Sequence, residues 1–287
     1  MAPLSSGSVF DVAQVEDEAI APYSSGRPRR RVRWWRGVVL LLAGAYFLIP
    51  LYAGLKFSLQ GVNGGFSFLA FQRLPSAPGF SAALTLSLKL AVATMVVSTL
   101  LMVPTAIYVH VRLPRLRRMM DVVTILPIVI PPIVLIVGVL GAFPEWAKAS
   151  PYLLSFMYVI LAMPFVYRSL DAGLGAIDLK TLTEASRSLG GNWFKTIWRV
   201  VLPNIRPALL SATVLTLALV FGEYTMASLD LWTTIPVWIT QFQVSSDGHI
   251  QVAASMLGLV GTWILLVLVV SLDRSQSRRS RRRQGAS

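Results

Sequence analysis

Ionisable side chains that could do chemistry are few in this 287-residue chain. It has no cysteine and only two histidines, His110 and His249. Disulfides and thiolate sites are therefore excluded, and a histidine-based metal cluster is not expected. A phosphate-cradling loop needs Gly, four residues, then Gly-Lys-Ser/Thr. The nearest run, Gly191-Asn192-Trp193-Phe194-Lys195-Thr196, has three residues between Gly191 and Lys195 and no second Gly. ATP hydrolysis by this chain is therefore not expected, and neither is a directly bound cofactor or a catalytic residue. What remains is charge in apolar surroundings. Glu223 stands within Phe221-Gly222-Glu223-Tyr224, and Lys89 stands within an apolar run of its own. A charge at membrane depth costs about 3 kcal/mol on insertion scales, so Glu223 should face a bundle interior or water. Two readings stay open for it: a pathway or gate residue, or a structural partner of Lys89 or of a neighbouring helix. Lys89 lies close enough to the end of its run to snorkel to the interface, which is favoured over a solute contact. Asp230 and Trp232 read as interfacial anchors at the outer mouth.

The composition says what surrounds these residues. Hydrophobic residues make up 55% of the chain and charged residues 14%, against about a quarter charged in soluble domains. The mean hydropathy is +0.65. The apolar residues come in blocks long enough to cross a roughly 30 Å hydrocarbon layer. Six spans are expected, near 37–59, 83–109, 122–143, 152–170, 207–229 and 250–272. They must be helices, because lipid offers no partner to open backbone groups. Pro127, Pro131, Pro132 and Pro164 should kink or interrupt spans three and four. Pro131 and Pro132 either break a helix that lines a path or bend it for packing alone.

The formal charge of +13 would suggest nucleic acid in a soluble protein, but here it sorts by topology and no nucleic-acid partner is expected. Of the 26 Lys and Arg, all but Lys56, Arg73, Lys89 and Lys148 fall in the N-terminal arm, the second-to-third link, the fourth-to-fifth region or the C-terminal tail. That asymmetry puts both termini in the cytoplasm. Residues 1–36 read as an arm, small and polar at first, then basic with Trp34 and Trp35 as an interfacial anchor. Residues 37–272 form the six-span domain, and 273–287 form a basic tail that fixes topology and touches anionic lipid.

On this topology the longest loop, 171–206, is cytoplasmic and suits two short helices. Thr181 or Thr183 can cap the first, with Glu184 in its opening turn. Gly190 and Gly191 let the chain turn, and Asn192 caps a second helix carrying Trp193, Phe194, Ile197, Trp198 and Val201. Pro203 and Pro207 limit its continuation. By composition alone the pair could lie on the lipid surface or dock a cytoplasmic partner.

The residue order separates those two. Glu184, Ala185 and Ser186, three residues, Gly190, nine residues, Val200, one residue, then Leu202 and Pro203 resembles the loop signature of ABC importer permease subunits. The family pattern is Glu-Ala-Ala, three residues, Gly, nine residues, Ile, any residue, Leu, Pro. Ser186 replaces the second Ala and Val200 the Ile. Ser87-Leu88-Lys89-Leu90-Ala91 and the basic, Pro-rich entry Arg115 to Pro132 also look like the family, and the resemblance covers about residues 80–272.

The resemblance implies an all-α membrane bundle of the type I importer kind, forming half of a pore in a bacterial cell membrane. It implies that Glu184, Ala185, Ser186, Gly190, Trp193, Leu202 and Pro203 form the coupling loop on a separate ATPase dimer, which holds the ATP and magnesium. It also implies a second homologous permease subunit and an extracytoplasmic binding protein. The stretch through Pro236 and Trp238 approaches the path in such proteins, which adds Trp238 to Glu223, Tyr224, Pro131 and Pro132 as candidate path residues.

The narrower likeness is to polyamine, ferric-iron and sulfate/molybdate permeases. An acidic Glu223 with Tyr224, Trp232 and Trp238 suits an organic cation such as a polyamine, with ferric iron or an oxyanion as the alternative. A secondary transporter or channel subunit would need an inverted repeat and a relay of ionisable residues, and the sequence has no clear sign of either. A membrane-anchored sensor would need a soluble output domain, which the sequence does not display.

Overall fold

A computed structural model of the chain describes residues 34–60, 65–245, 248–264 and 267. The expected arm before Trp34 and the basic tail lie outside the described residues. The chain divides at Pro50 into two compact units, Met1–Pro50 and Leu51–Ser287. The described part of the first is helical and belongs to α1 (Trp34–Ser58), which runs on into the second.

The second unit is built on two long helices. After the short α2 (Leu69–Arg73), α3 (Phe80–Arg112) starts at Gly79, whose φ of 78° favours glycine, and ends two residues before Pro114. Its buried face repeats at helical spacing through Ala83, Ser87, Leu90, Ala91, Thr94 and Ser98. Small residues in that row let another helix approach. The partner is α7 (Tyr152–Gly175). The Ser155 hydroxyl faces the Leu90 carbonyl, and the Thr94 hydroxyl the Ser155 carbonyl, each at 3.5 Å. Pro164 sits inside α7 without ending it, so of the two expected effects, a kink or an interruption, the fourth span is not interrupted there. A membrane helix tolerates proline where neighbours compensate the freed backbone.

Between these helices, α4 (Arg117–Val129) and α5 (Pro132–Ala142) form the third expected span, bent by 89° at Ile130–Pro131. Pro131 lacks an N–H and stands just outside α5 with an extended backbone, while Pro132 opens the new helix. A one-turn α6 (Glu145–Lys148) leads into α7.

After α7 come α8 (Leu179–Ser188), α9 (Trp193–Thr196), a wider turn over Ile197–Val201, and α10 (Leu202–Asn204). α11 (Arg206–Gly222) then leaves at 76°. It packs on α7 so closely that a Cβ on Gly173 would lie 2.3 Å from the Ala208 Cβ. The fifth expected span, 207–229, is not one helix. α11 stops at Gly222, and the chain turns at Glu223 into α12 (Thr225–Leu229), then α13 (Ile235–Ser245) and a last helix, α14, over 248–264.

Among the described residues no strand forms; one isolated bridge pairs Gln60 with Phe66. Three helices among the described residues are long and apolar enough to cross a bilayer, or up to five if each bent pair is one span. The sixth expected span is helical over 248–264, and most of its remainder lies outside the described residues.

Candidate functional site

The loop between α7 and α11 is held by hydrogen bonds at each turn. Asp178, not Thr181 or Thr183, caps α8: its carboxylate accepts from the Thr181 amide at 3.2 Å and the Thr181 hydroxyl at 2.7 Å. The Thr181 hydroxyl holds the Asp178 carboxyl below the usual aspartate range. The earlier start places Glu184 mid-helix, exposed, rather than in the opening turn. Gly190 adopts φ 76°, which favours glycine, and the Gly191 amide then donates to the Ser186 carbonyl at 2.8 Å. A Cβ on Gly191 would meet Ser186 Oγ at 2.6 Å, so the second glycine is needed for close approach. Asn192 caps α9 by accepting from the Lys195 amide at 2.8 Å.

Ser186 is more than a small filler. Its hydroxyl meets the buried Thr196 hydroxyl at 2.8 Å, and Thr196 also donates to the Asn192 carbonyl at 3.0 Å. The two arms are thus tied across the turn.

The apolar residues of the loop split into two sets. Trp193, Ile197 and Leu202 pack against the core between α3, α7 and α11. Leu189, Phe194 and Trp198 are 89%, 67% and 59% exposed, and the last two rings lie 5.8 Å apart. Trp193, expected at the docking face, therefore braces the loop from behind. Ala185 is exposed on α8, and Pro203 is half-buried in α10.

A cluster that the sequence reading missed anchors the root of the loop. Arg117 at the start of α4 grips Asp171 near the end of α7, Nε to Oδ1 at 2.5 Å and Nη2 to Oδ2 at 2.7 Å. His110 near the end of α3 places Nε2 3.2 Å from Asp171 Oδ1, while its Nδ1 lies 2.8 Å from the Ala106 carbonyl. Three helices meet there, where the loop begins. The only sequence signal was an acid at one span's end and a basic link elsewhere, and nothing in order or spacing pairs them.

The two intramembrane charges stand apart. Glu223 is buried, and both its oxygens lie within reach of the Met226 amide, at 3.1 and 3.0 Å. It caps α12 at the break after α11, and the buried Tyr158 ring lies beside it. No ion pair joins it to Lys89 among the described residues. Lys89 is exposed on α3.

Of the other candidate path residues, Tyr224 is 44% exposed beside the break, and Pro131 and Pro132 form the α4–α5 bend. Trp238 is buried and stacked on Phe242, and its Nε1 donates to the Pro78 carbonyl at 2.8 Å. It serves packing at the start of α3 rather than lining open space. Among the described residues no group of three or more His, Cys, Asp or Glu could hold a metal ion.

The sequence resembles a known family and several named proteins. Residues 102–284 match the family model described as the binding-protein-dependent transport system inner membrane component. A Haloferax volcanii protein named as a probable molybdenum ABC transporter permease is 30% identical over 268 residues, covering 85% of this chain and 96% of that one. A putative 2-aminoethylphosphonate transport system permease of Salmonella typhimurium is 29% identical over 168 residues, 56% of this chain and 62% of that one. A ferric transport system permease of Actinobacillus pleuropneumoniae is 37% identical over 101 residues, only 34% of this chain and 15% of that one. A helical membrane bundle, a two-helix loop with the family's residue order, and a match over most of the chain lead to one conclusion: this chain belongs to the binding-protein-dependent inner-membrane transport components, the permease subunits of ABC importers.

Proposed function

We propose that this chain forms half of the translocation path for a tetrahedral oxyanion of the molybdate kind. The carrying observation is the similarity to a molybdenum permease along 96% of that protein's length. The organic cation favoured by Glu223 loses its support, because that carboxylate is occupied by the α12 backbone. Ferric iron is the second reading, favoured by the 37% identity to the ferric permease over 101 residues.

In this proposal the exposed Leu189, Phe194 and Trp198 dock on a cytoplasmic ATPase dimer, which holds the nucleotide and magnesium. Buried aromatic anchors dominate such interfaces. Ser186, Gly190 and Gly191 set the loop's shape, Glu184 and Ala185 present its first helix, and Trp193, Leu202 and Pro203 carry its motion into the bundle. The Arg117–Asp171 grip passes that motion to α4. A second homologous permease completes the pore, an extracytoplasmic binding protein delivers the solute, and both termini stay in the cytoplasm.

The test is uptake of labelled molybdate by cells carrying or lacking this chain, with spermidine and ferric iron assayed in parallel. Molybdate uptake that depends on the chain is expected. Dependence of spermidine or ferric uptake alone would sink the oxyanion reading.

A further inference from the structure

At the end of α3 remote from the coupling loop, Ser81, Thr85 and Lys89 follow one another at intervals of four residues, which stacks them on one helix face. All three are exposed and, with Ala82 and Leu86, line an open strip of surface along α3 alone. Lys89 lies nine residues into the 33-residue helix, about 14 Å from its start and about 10 Å from its middle. An ammonium at that depth marks a path or a partner by default. No carboxylate pairs with it among the described residues.

Hydroxyls along the helices follow two patterns. Thr105, Ser169 and Thr262 each turn back onto their own helix, donating to the carbonyls of Leu101, Phe165 and Gly258 at 2.6, 2.9 and 2.8 Å. Ser81 and Thr85 make no such bond among the described residues, nor do Thr99 on α3 and Ser211 on α11; what sets Ser81 and Thr85 apart is that they stand beside Lys89. The opposite face of α3 carries Ser87 and Thr94, which are buried; Ser87 accepts from the Ile235 amide at 2.8 Å. On the packed face Ser87 and Thr94 are engaged, whereas no bond is made by Ser81, Thr85 or Lys89 among the described residues. An ammonium with two free hydroxyls and no acid beside it is a donor set for an oxyanion.

We propose that Ser81, Thr85 and Lys89 form a contact site for a tetrahedral oxyanion at the mouth of the path. The proposal rests on the oxyanion reading above. The same chemistry would also hold a lipid phosphate, because the lysine stem can reach toward the headgroups, and the two sources are separable by experiment.

The complete importer is reconstituted with its ATPase, second permease and binding protein. Uptake of labelled molybdate is then measured for wild type, Lys89→Gln, Lys89→Arg and Thr85→Val. Lys89→Gln is expected to lower uptake about tenfold or more, the scale of a lost charge-assisted hydrogen bond, and Thr85→Val by about threefold. Lys89→Arg, which keeps the charge, is expected to restore most of it.

The same purified complexes are assayed for retained phospholipid and for thermal midpoint, both expected to stay at the wild-type values. Unchanged uptake per folded complex in Lys89→Gln would overturn the site. So would a loss of bound phospholipid and thermal stability that fully accounts for the lost uptake, since the anion would then be the lipid's. If wild type moves no tetrahedral oxyanion at all, the functional reading fails and this site with it. If wild type transports and the variants match it, only the site fails.

Discussion

Glu223 and Lys89 look alike in the sequence, each a lone charge in an apolar run, yet the structure treats them oppositely. Glu223 is buried with its carboxylate on the Met226 amide, whereas Lys89 is exposed beside hydroxyls that make no bond among the described residues. A polar group whose bonds are already met inside the chain holds the fold. One whose bonds are unmet waits for something outside it. The loop repeats the contrast with aromatic rings: Trp193 is packed against the core, while Phe194 and Trp198 face outward.

Variants at met groups should therefore show in stability, and variants at unmet groups in partnership. The largest effect is expected from Phe194→Ala combined with Trp198→Ala. If these rings are the anchors, each loss costs about 2 kcal/mol of binding. ATPase recovered by pull-down should fall well over tenfold while the thermal midpoint of the permease holds. Normal recovery of ATPase would break the comparison on its exposed side.

Glu223→Ala should act in the reverse sense. Open buried donors at the start of α12 cost about 1–3 kcal/mol, and Glu223→Gln, which keeps an acceptor oxygen, should lose less. Thermal unfolding in detergent reads both, and an alanine variant as stable as wild type would refute the capping role.

Asp171→Asn weakens the grip of Arg117. Arg117 is 41% exposed, so the effect is discounted for solvent to about 1–2 kcal/mol. Uptake per ATP hydrolysed should fall as well, because the root of the loop would yield; an unchanged ratio would leave the cluster as structure alone. The smallest effect belongs to Ser186→Ala, which restores the family's residue and removes one neutral hydrogen bond, about 1 kcal/mol. Faster amide exchange across 186–196 should accompany it.

Much of this was legible in the sequence. The two long helices, the Asn192 cap, the glycine turn and the proline bend each depend on neighbours within a few residues. The loop's identity came from residue order rather than from its packing. Where partners are remote, the sequence was silent. Arg117 and Asp171 lie 54 residues apart, and no local pattern joins them.

Glu223 misled in a particular way. Its charge suggested a cationic solute because the backbone donors that occupy it belong to a helix hidden within an apolar run. Asp178 was missed for a plainer reason. Thr181 has the shape of a cap, but here it donates its hydroxyl to the cap one turn earlier.

The start of α3 is fixed from far along the chain. Trp238 reaches the Pro78 carbonyl across 160 residues, and the Ile235 amide reaches Ser87 across 148. Contacts at such separation form late, since the connecting chain must first be ordered. During synthesis the N-terminal helices would enter the membrane well before the segment that locks them exists. The start and the packed face of α3 would then be locked only once α13 has been made, so a chain truncated before it would insert with that end of the helix unsecured.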